Sequence, residues 1–269
     1  MDSGEDSTGR ADGGPSAALR RGGAPLGGWL GRPYRARLAK TLAADPGQLL
    51  RRRARRDCPV CGFRGRFWSF GDPPRREARC PRCFAVERHR LLHLCIVRRI
   101  GYERLAGRRI LHIAPEGWLR RALGDGPGYV AADLHAAGVD VRLDLTRLPF
   151  ADGAFEVVIA NHVLEHVAGD RAAMGEIRRV MRHDGLAILS APVAYGYDTS
   201  FEDAAIAAPA ERRRYFGEPD HVRVYGRDFE QRLRGAGFAV AAFAATPREE
   251  TDFALGRGRR IYLCRAAGG

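Results

Sequence analysis

Six cysteines stand in the 269-residue chain, and four of them form two Cys-x-x-Cys pairs, Cys58/Cys61 and Cys80/Cys83, with eighteen residues between the pairs. Two such knuckles at this separation can wrap four thiolates tetrahedrally round one Zn²⁺. Phe63, Phe67, Trp68 and Phe70 lie between them and would give a zinc ribbon over residues 57–86 its small core. A unit that short needs the metal to hold it. The alternative is two unrelated redox or buried cysteine pairs. Cys95 and Cys264 stand alone and read as buried apolar residues.

A second chemistry is laid out between residues 109 and 192. Residues 155–160 are an apolar strand pattern that breaks at Asn161 and His162. A buried parallel strand looks like this where it hands its last residues to a ligand crevice. Upstream, a strand over 109–113 delivers Ala114, Pro115, Glu116 and Gly117 ahead of a helix over 118–123. A strand over 129–133 ends in Asp133, followed by Leu134, where an acid can accept both hydroxyls of a ribose. A third, 139–143, ends at Asp144 and Leu145, suited to an adenine amino group and ring face. One adenosine-bearing ligand accounts for all four strand ends; acids placed there by chance are the alternative.

These groups need a sheet to hold them. Residues 169–181 put Ala172, Ala173, Ile177, Val180 and Met181 on one helical face, and His183, Asp184 and Gly185 should stop that helix. A fifth strand is expected at 186–191, a helix at 227–234, and a closing antiparallel pair at 238–244 and 260–265. The fold class is therefore α/β, a doubly wound, mostly parallel seven-stranded sheet. Residues 87–106 read as a helix joining ribbon to sheet. His89 and His93 lie one turn apart on it, structural or substrate-facing, since the cysteines already complete a zinc shell. Residues 193–226 form a long polar and aromatic insert, the pattern of a lid or pocket wall. Tyr195, Tyr197, Arg223 and Tyr225 are its candidate substrate contacts.

Charge is unevenly spread. The net +13 resides in residues 1–99, where 22 Arg/Lys face 9 Asp/Glu; the rest of the chain carries 23 of each. Residues 1–33, rich in Gly, Ser, Ala and Asp, read as disordered. Residues 34–56 form a basic helical or linker segment ending in five arginines within 51–56, read as a solvated face before a nucleic-acid contact. No apolar run approaches the roughly 20 residues of a membrane span, and the acidic start is no secretory signal, so a cytoplasmic protein is the expectation.

The residues also carry a resemblance. Leu148-Pro-Phe…Asp152…Phe155-Glu-Val-Val…Asn161-His-Val-Leu-Glu-His166, then Glu176-Ile-Arg-Arg-Val-Met…Gly185, resembles class I S-adenosylmethionine-dependent methyltransferases of the type 11-like group, over residues 109–265. With the two cysteine pairs, Glu87-Arg-His-Arg90, Leu111-His-Ile-Ala-Pro-Glu116 and Asp220-His-Val-Arg-Val-Tyr-Gly226, the chain is similar to a bacterial subgroup with an N-terminal zinc ribbon. The resemblance implies a Rossmann-like domain over 107–269 that binds S-adenosylmethionine through Ala114, Pro115, Glu116, Asp133, Leu134, Asp144, Leu145, Asn161 and His162. One departure stands out: Ala114-Pro-Glu-Gly117 replaces the usual Gly-x-Gly-x-Gly, and His112 occupies a position where an acid often appears. Pro115 stiffens that turn and removes a donor, while Glu116 can face the ammonium of the cofactor.

Methyl transfer to a hydroxyl needs alignment and a base near neutral pH, which suits histidine. His221 on the lid is the first candidate and His162 the second, with His166 anchoring its own turn. A metal-assisted hydroxyl transfer through Asp and His on this lid is an alternative, but no ligand spacing argues for it. The leading reading is O-methylation of a hydroxyl on a small molecule or saccharide. The second is an RNA methyltransferase gripping phosphates with the ribbon and the arginine run, although Asn161-His-Val-Leu164 replaces the tetrapeptide of base amino methylation. A third is a binding module with a dead cofactor loop. Neither the acceptor nor the oligomeric state is written in the sequence.

Overall fold

The structure is a computed structural model that describes residues 32–50, 53–124 and 126–268. The expectation of disorder over 1–33 falls almost wholly outside those residues. Helix α1 spans Arg32–Ala44, and a short 3-10 turn follows over Pro46–Leu49. Two small hairpins come next: β1 (Arg56–Asp57) with β2 (Arg64–Gly65), and β3 (Trp68–Phe70) with β4 (Arg75–Arg79). Each hairpin lies beside one cysteine pair. Helix α2 (Glu87–Cys95) leads through a wider turn, Ile96–Ile100, into α3 (Tyr102–Leu105).

The large sheet then builds up from β5 (Ile110–Ile113), α4 (Gly117–Leu123), β6 (Tyr129–Asp133), β7 (Val141–Arg142), β8 (Phe155–Asn161), α5 (Asp170–Val180) and β9 (Met181–Ser190). Helices α6 (Pro209–Phe216) and α7 (Phe229–Gly235), strand β10 (Phe238–Ala244), α8 (Pro247–Asp252) and β11 (Arg260–Ala266) complete it. Its order is β10-β11-β9-β8-β5-β6-β7. β5 to β9 run parallel, and β11 and β10 close the edge antiparallel. The chain leaves β5 toward β6 and β7 on one side and returns to β8 on the other. The β5–β8 boundary is thus the switch point, where the loops diverge and leave a crevice.

Side-chain burial explains these elements. All residues of β8 except Glu156 are buried, as a central parallel strand covered on both faces requires. On α5 the buried positions Ala173, Met174, Ile177 and Val180 repeat at helical spacing. Two of the expected elements have other bounds. The third strand shrinks to Val141–Arg142 at the sheet edge. Helix α5 ends earlier than expected, at Val180, and residues 182–185 form a bulge inside β9, which pairs Met181 with Phe155 and Leu186 with Val157. Glycine is needed there, because a Cβ on Gly185 would stand 2.9 Å from the Glu156 carbonyl oxygen.

The two faces of the sheet are covered differently. One packs Leu111, Val158 and Ala160 against α5, α7 and the returning end of the 193–226 insert. The other packs Ile110, Val157, Ile159 and Ile188 against Leu92, Cys95 and Ile96 of α2, with Phe67 of the ribbon and Trp118 in the same cluster. Helix α2 is therefore a layer of the main fold. Arg90, fully buried, fixes it: its guanidinium donates to the carbonyls of Ala78 and Ala85 in the ribbon and of Phe253 and Ala254 beyond α8.

Both histidines of α2 turn inward onto Trp118, with ring centroids 6.4 Å (His89) and 5.9 Å (His93) from it. The structural alternative therefore holds for the pair. Burial pushes the His89 imidazole down to about 4, and its Nδ1 accepts the Val86 N–H, which needs an unprotonated nitrogen. The unfolded chain takes up this proton near pH 6.5 while the folded one resists it, so the stabilising effect is complete above that value and is lost as pH falls toward 4. Between pH 7 and pH 5 this group is expected to cost about 2 kcal/mol of stability. Urea denaturation at the two pH values checks this, and His89→Gln should flatten that part of the pH dependence.

Candidate active site

A chain of polar groups runs from Tyr129 at the start of β6 through His112 of β5 to the carboxyl ends of β8 and β9. The Tyr129 hydroxyl meets His112 Nδ1 at 2.6 Å, and His112 Nε2 donates to Glu116 Oε2 at 2.9 Å. Asn161 Nδ2 donates to Glu116 Oε1 at 2.5 Å, and the Ser190 hydroxyl donates to Asn161 Oδ1. Burial alone pushes the Glu116 carboxyl up, but His112, His89 and Asn161 outweigh it and hold the group below the usual carboxylate range. A fixed negative charge thus sits beneath the turn after β5. The sequence puts His112 where an acid would stand, and Glu116 reaches back to supply the charge.

That turn has no glycine where it is tightest. Ala114 adopts φ +50°, a conformation costing an L-residue about 1–2 kcal/mol. It is held there from both sides, by its N–H on the Ala132 carbonyl and by the anchored Glu116 two residues on. His162 is held similarly, at φ +59°, its N–H donating to the Ser190 carbonyl. Strain at both ends of the crevice is tolerated because the surrounding bonds over-determine it.

Of the other expected cofactor residues, Asp133 ends β6 half-buried, one carboxylate oxygen accepting the N–H groups of His135 and Ala136. Leu134 beside it is exposed. Asp144 is exposed, and the backbone and hydroxyl hydrogen bonds of Thr146 hold its carboxyl below the usual range. Leu145 is buried and packs into the main core.

Next to Asn161 and His162 opens a cavity of about 710 Å³, walled by β8 and β9 ends, the 193–226 insert, helix α2 and the approach to β11. His162, His166 and His221 border it, with Arg88, Arg259 and Arg260 on the far side. His162 Nδ1 stands 3.1 Å from Oε1 of Glu165, a side chain 1 % exposed. Burial pushes the Glu165 carboxyl up, and the His162 imidazole beside it outweighs that and holds the group below its usual range. Burial lowers the His221 imidazole below its usual value.

Three tyrosines expected as substrate contacts lie elsewhere. Tyr225 is fully buried in the core, its hydroxyl donating to Asp170 at 2.9 Å. Tyr197 is 59 % exposed at the surface, and Tyr195 packs under the Arg260 guanidinium, neither bordering the cavity. Arg223 touches the cavity, but its side chain is 2 % exposed and its donors are committed to Glu202 and the carbonyls of Leu164, Val167 and Ala168. With Asp170 and Arg232 it fastens the insert to the domain. A Cβ on Gly226 would lie 2.6 Å from the Thr199 backbone, so glycine lets the two ends of the insert meet.

In the ribbon, Cys58, Cys61, Cys80 and Cys83 bring their sulfurs within 4.8 Å of one another. The Cys58–Cys83 and Cys61–Cys80 separations are 3.6 and 3.7 Å. Four thiolates about 2.3 Å from one ion lie about 3.8 Å apart at the corners of a tetrahedron. The cluster has the geometry of a ligand shell. Cys95 and Cys264 are buried and alone, as expected.

Ser190 and Glu165 are site residues that sequence reasoning missed. The signal for Glu165 was present: a single acid between Leu164 and His166 in an otherwise apolar stretch that follows a buried strand.

The switch-point crevice and the seven-stranded order define a Rossmann-like α/β domain. A family model described as a methyltransferase domain matches residues 124–189. An uncharacterized methyltransferase of Mycolicibacterium vanbaalenii is 31 % identical over 172 residues, covering 50 % of this chain and 66 % of that protein. One from Mycolicibacterium gilvum is 36 % identical over 99 residues, 28 % of this chain and 39 % of its own. The chain thus spans less than two thirds of either relative. The solved structure of an S-adenosylmethionine dependent methyltransferase from Mesorhizobium loti is similar over 60 % of this chain and 91 % of its own, at 18 % identity and a TM-score of 0.41. No helix among the described residues is long and apolar enough to cross a membrane.

Proposed function

We propose that this protein is an S-adenosylmethionine-dependent O-methyltransferase acting on a hydroxyl of a small acceptor, saccharides included, held in the cavity beside Asn161 and His162. The single observation behind this is the placement of a polar cavity of about 710 Å³, within the size range of small-ligand sites, at the carboxyl ends of β8 and β9, beside the switch point of a sheet that a methyltransferase family model matches in part. The chemistry of the donor set fits the cofactor: the ionised, buried Glu116 suits its cationic amino-acid end, and Asp133 suits its ribose diol.

When bound, S-adenosylmethionine supplies an electrophilic methyl carbon, whose transfer forms a C–O bond, breaks an S–C bond and leaves the electron pair on sulfur. The chain's own residues must align the acceptor oxygen and take its proton. His162 is built to take the proton. With Nδ1 turned to Glu165, its Nε2 is left to accept it, and the carboxylate stabilises the imidazolium that forms. His221 faces the same cavity from the lid. The Zn²⁺ reading of the four cysteines belongs here as well, as a structural ion.

Calorimetry tests the cofactor half of the proposal. Asp133→Ala should weaken S-adenosylmethionine binding about tenfold or more, by loss of a charge-assisted hydrogen bond to the ribose. The acceptor half is tested by seeking a metabolite that gains one methyl group when protein is supplied. Absence of cofactor binding would leave the binding-module reading standing. The RNA reading has less support: Arg53 and Arg56 of the basic run are turned inward, to the Phe67 carbonyl and to Glu77 with the Thr251 carbonyl. Salt-sensitive RNA binding by the full chain would restore it.

A further inference from the structure

Glu165 is buried at 1 % exposure, its Oε1 3.1 Å from His162 Nδ1, and neither carboxylate oxygen accepts a well-aligned hydrogen bond among the described residues. A buried carboxylate faced by one imidazole still has lone pairs for a further cation. Two more imidazoles stand nearby. His166 lies on the same short turn, and His221 arrives from the lid 55 residues later, its ring 4.7 Å from that of His166 and edge-on to it. One ligand atom from each of Glu165, His166 and His221 falls within 4.8 Å of the other two. Ligand atoms about 2.1 Å from one ion at tetrahedral angles lie about 3.4 Å apart, so shifts of up to about 1 Å per side chain close the trio on a cation.

Each imidazole also has a partner of the kind that orients a histidine ligand. His221 Nδ1 meets the Phe216 carbonyl at 3.2 Å; a carbonyl can only accept, so the proton is on Nδ1 and Nε2 keeps its lone pair. His166 Nδ1 lies 3.3 Å from the Asp220 carboxylate. The trio borders the cavity, so an ion there has protein on one side and open positions on the other.

We propose that Glu165, His166 and His221 form a second metal site, distinct from the four cysteines, that takes one first-row divalent cation at the wall of the acceptor cavity. Two imidazoles and one carboxylate suit such an ion and leave coordination positions for oxygen. The role that follows rests on the O-methylation reading: the cation binds acceptor oxygens, which favours acceptors with two adjacent oxygens, and lowers the cost of deprotonating a hydroxyl. His221 then acts as a ligand, and His162, 3.1 Å from Glu165 Oε1, is left as the base.

The test uses the full chain with its thiolate-bound metal retained and quantified by elemental analysis. Mn²⁺ is titrated in and free Mn²⁺ followed by electron paramagnetic resonance; Co²⁺ is titrated in parallel and followed by its visible absorption. One ion per chain is expected beyond the thiolate site, with affinity at least tenfold weaker in Glu165→Gln and in His221→Ala. Circular dichroism and S-adenosylmethionine calorimetry on the same variants check that the fold is intact. Failure of both ions to bind, or wild-type affinity in both variants, overturns the proposal. If methyl transfer is found but no second ion binds, this inference fails alone; if the ion binds but S-adenosylmethionine does not, the methyltransferase reading fails and the site survives.

Discussion

Cys80→Ser is expected to strip the ribbon of its metal and to unfold residues 57–86. Cys80 is fully buried, and its sulfur is one corner of a four-thiolate cluster whose edges match those of a tetrahedral ion. Structural zinc in peptides of this kind contributes about 10–16 kcal/mol of apparent binding free energy, all of it folding free energy. Losing one of four thiolates should remove a large share of that. Elemental analysis should fall from one metal per chain toward none, with a large drop in melting temperature. Cys95→Ala, which removes a buried sulfur outside the cluster, should keep the metal. A wild-type chain without metal, or a Cys80→Ser chain that melts like it, would end the zinc reading.

The second large effect is expected at Arg90. Arg90→Met should cost about 3–5 kcal/mol in urea denaturation, because the buried carbonyls of Ala78 and Ala85 and the half-buried ones of Phe253 and Ala254 all lose their donor. Arg90→Lys should recover little, since one ammonium cannot reproduce a planar fork of donors aimed at both the ribbon and the 253–254 turn. A loss under about 1 kcal/mol would mean that the contacts form without holding the two parts together.

Much of this was legible in the chain before its structure, and the failures have physical reasons. The cysteine pairs and the break at Asn161 are local patterns, and a local pattern survives folding. The terminal strands paired as their composition suggested, over Phe238–Ala244 and Arg260–Ala266. Helices α6 and α8 were missed although both carry start signals: Pro209 at the first turn of one and a Thr246–Glu249 capping box in the other. Tyr225 and Arg223 failed differently. A polar or aromatic side chain on a long insert can face a pocket or fasten the insert down, and only packing against Asp170 and Leu164 decides which. The His166–His221 approach spans 55 positions, beyond any spacing rule.

The cover on the second face of the sheet has a consequence for modularity. By charge, the chain divides near residue 100, and by that measure the first third looks like a cassette that could be added to or removed from a ready-made enzyme. By packing, it does not divide there: Leu92, Cys95 and Ile96 share one core with Val157, Ile159 and Ile188. A shuffled or trimmed gene that kept only the sheet would therefore expose a row of β-branched side chains. The ribbon and the sheet are inherited, and lost, together.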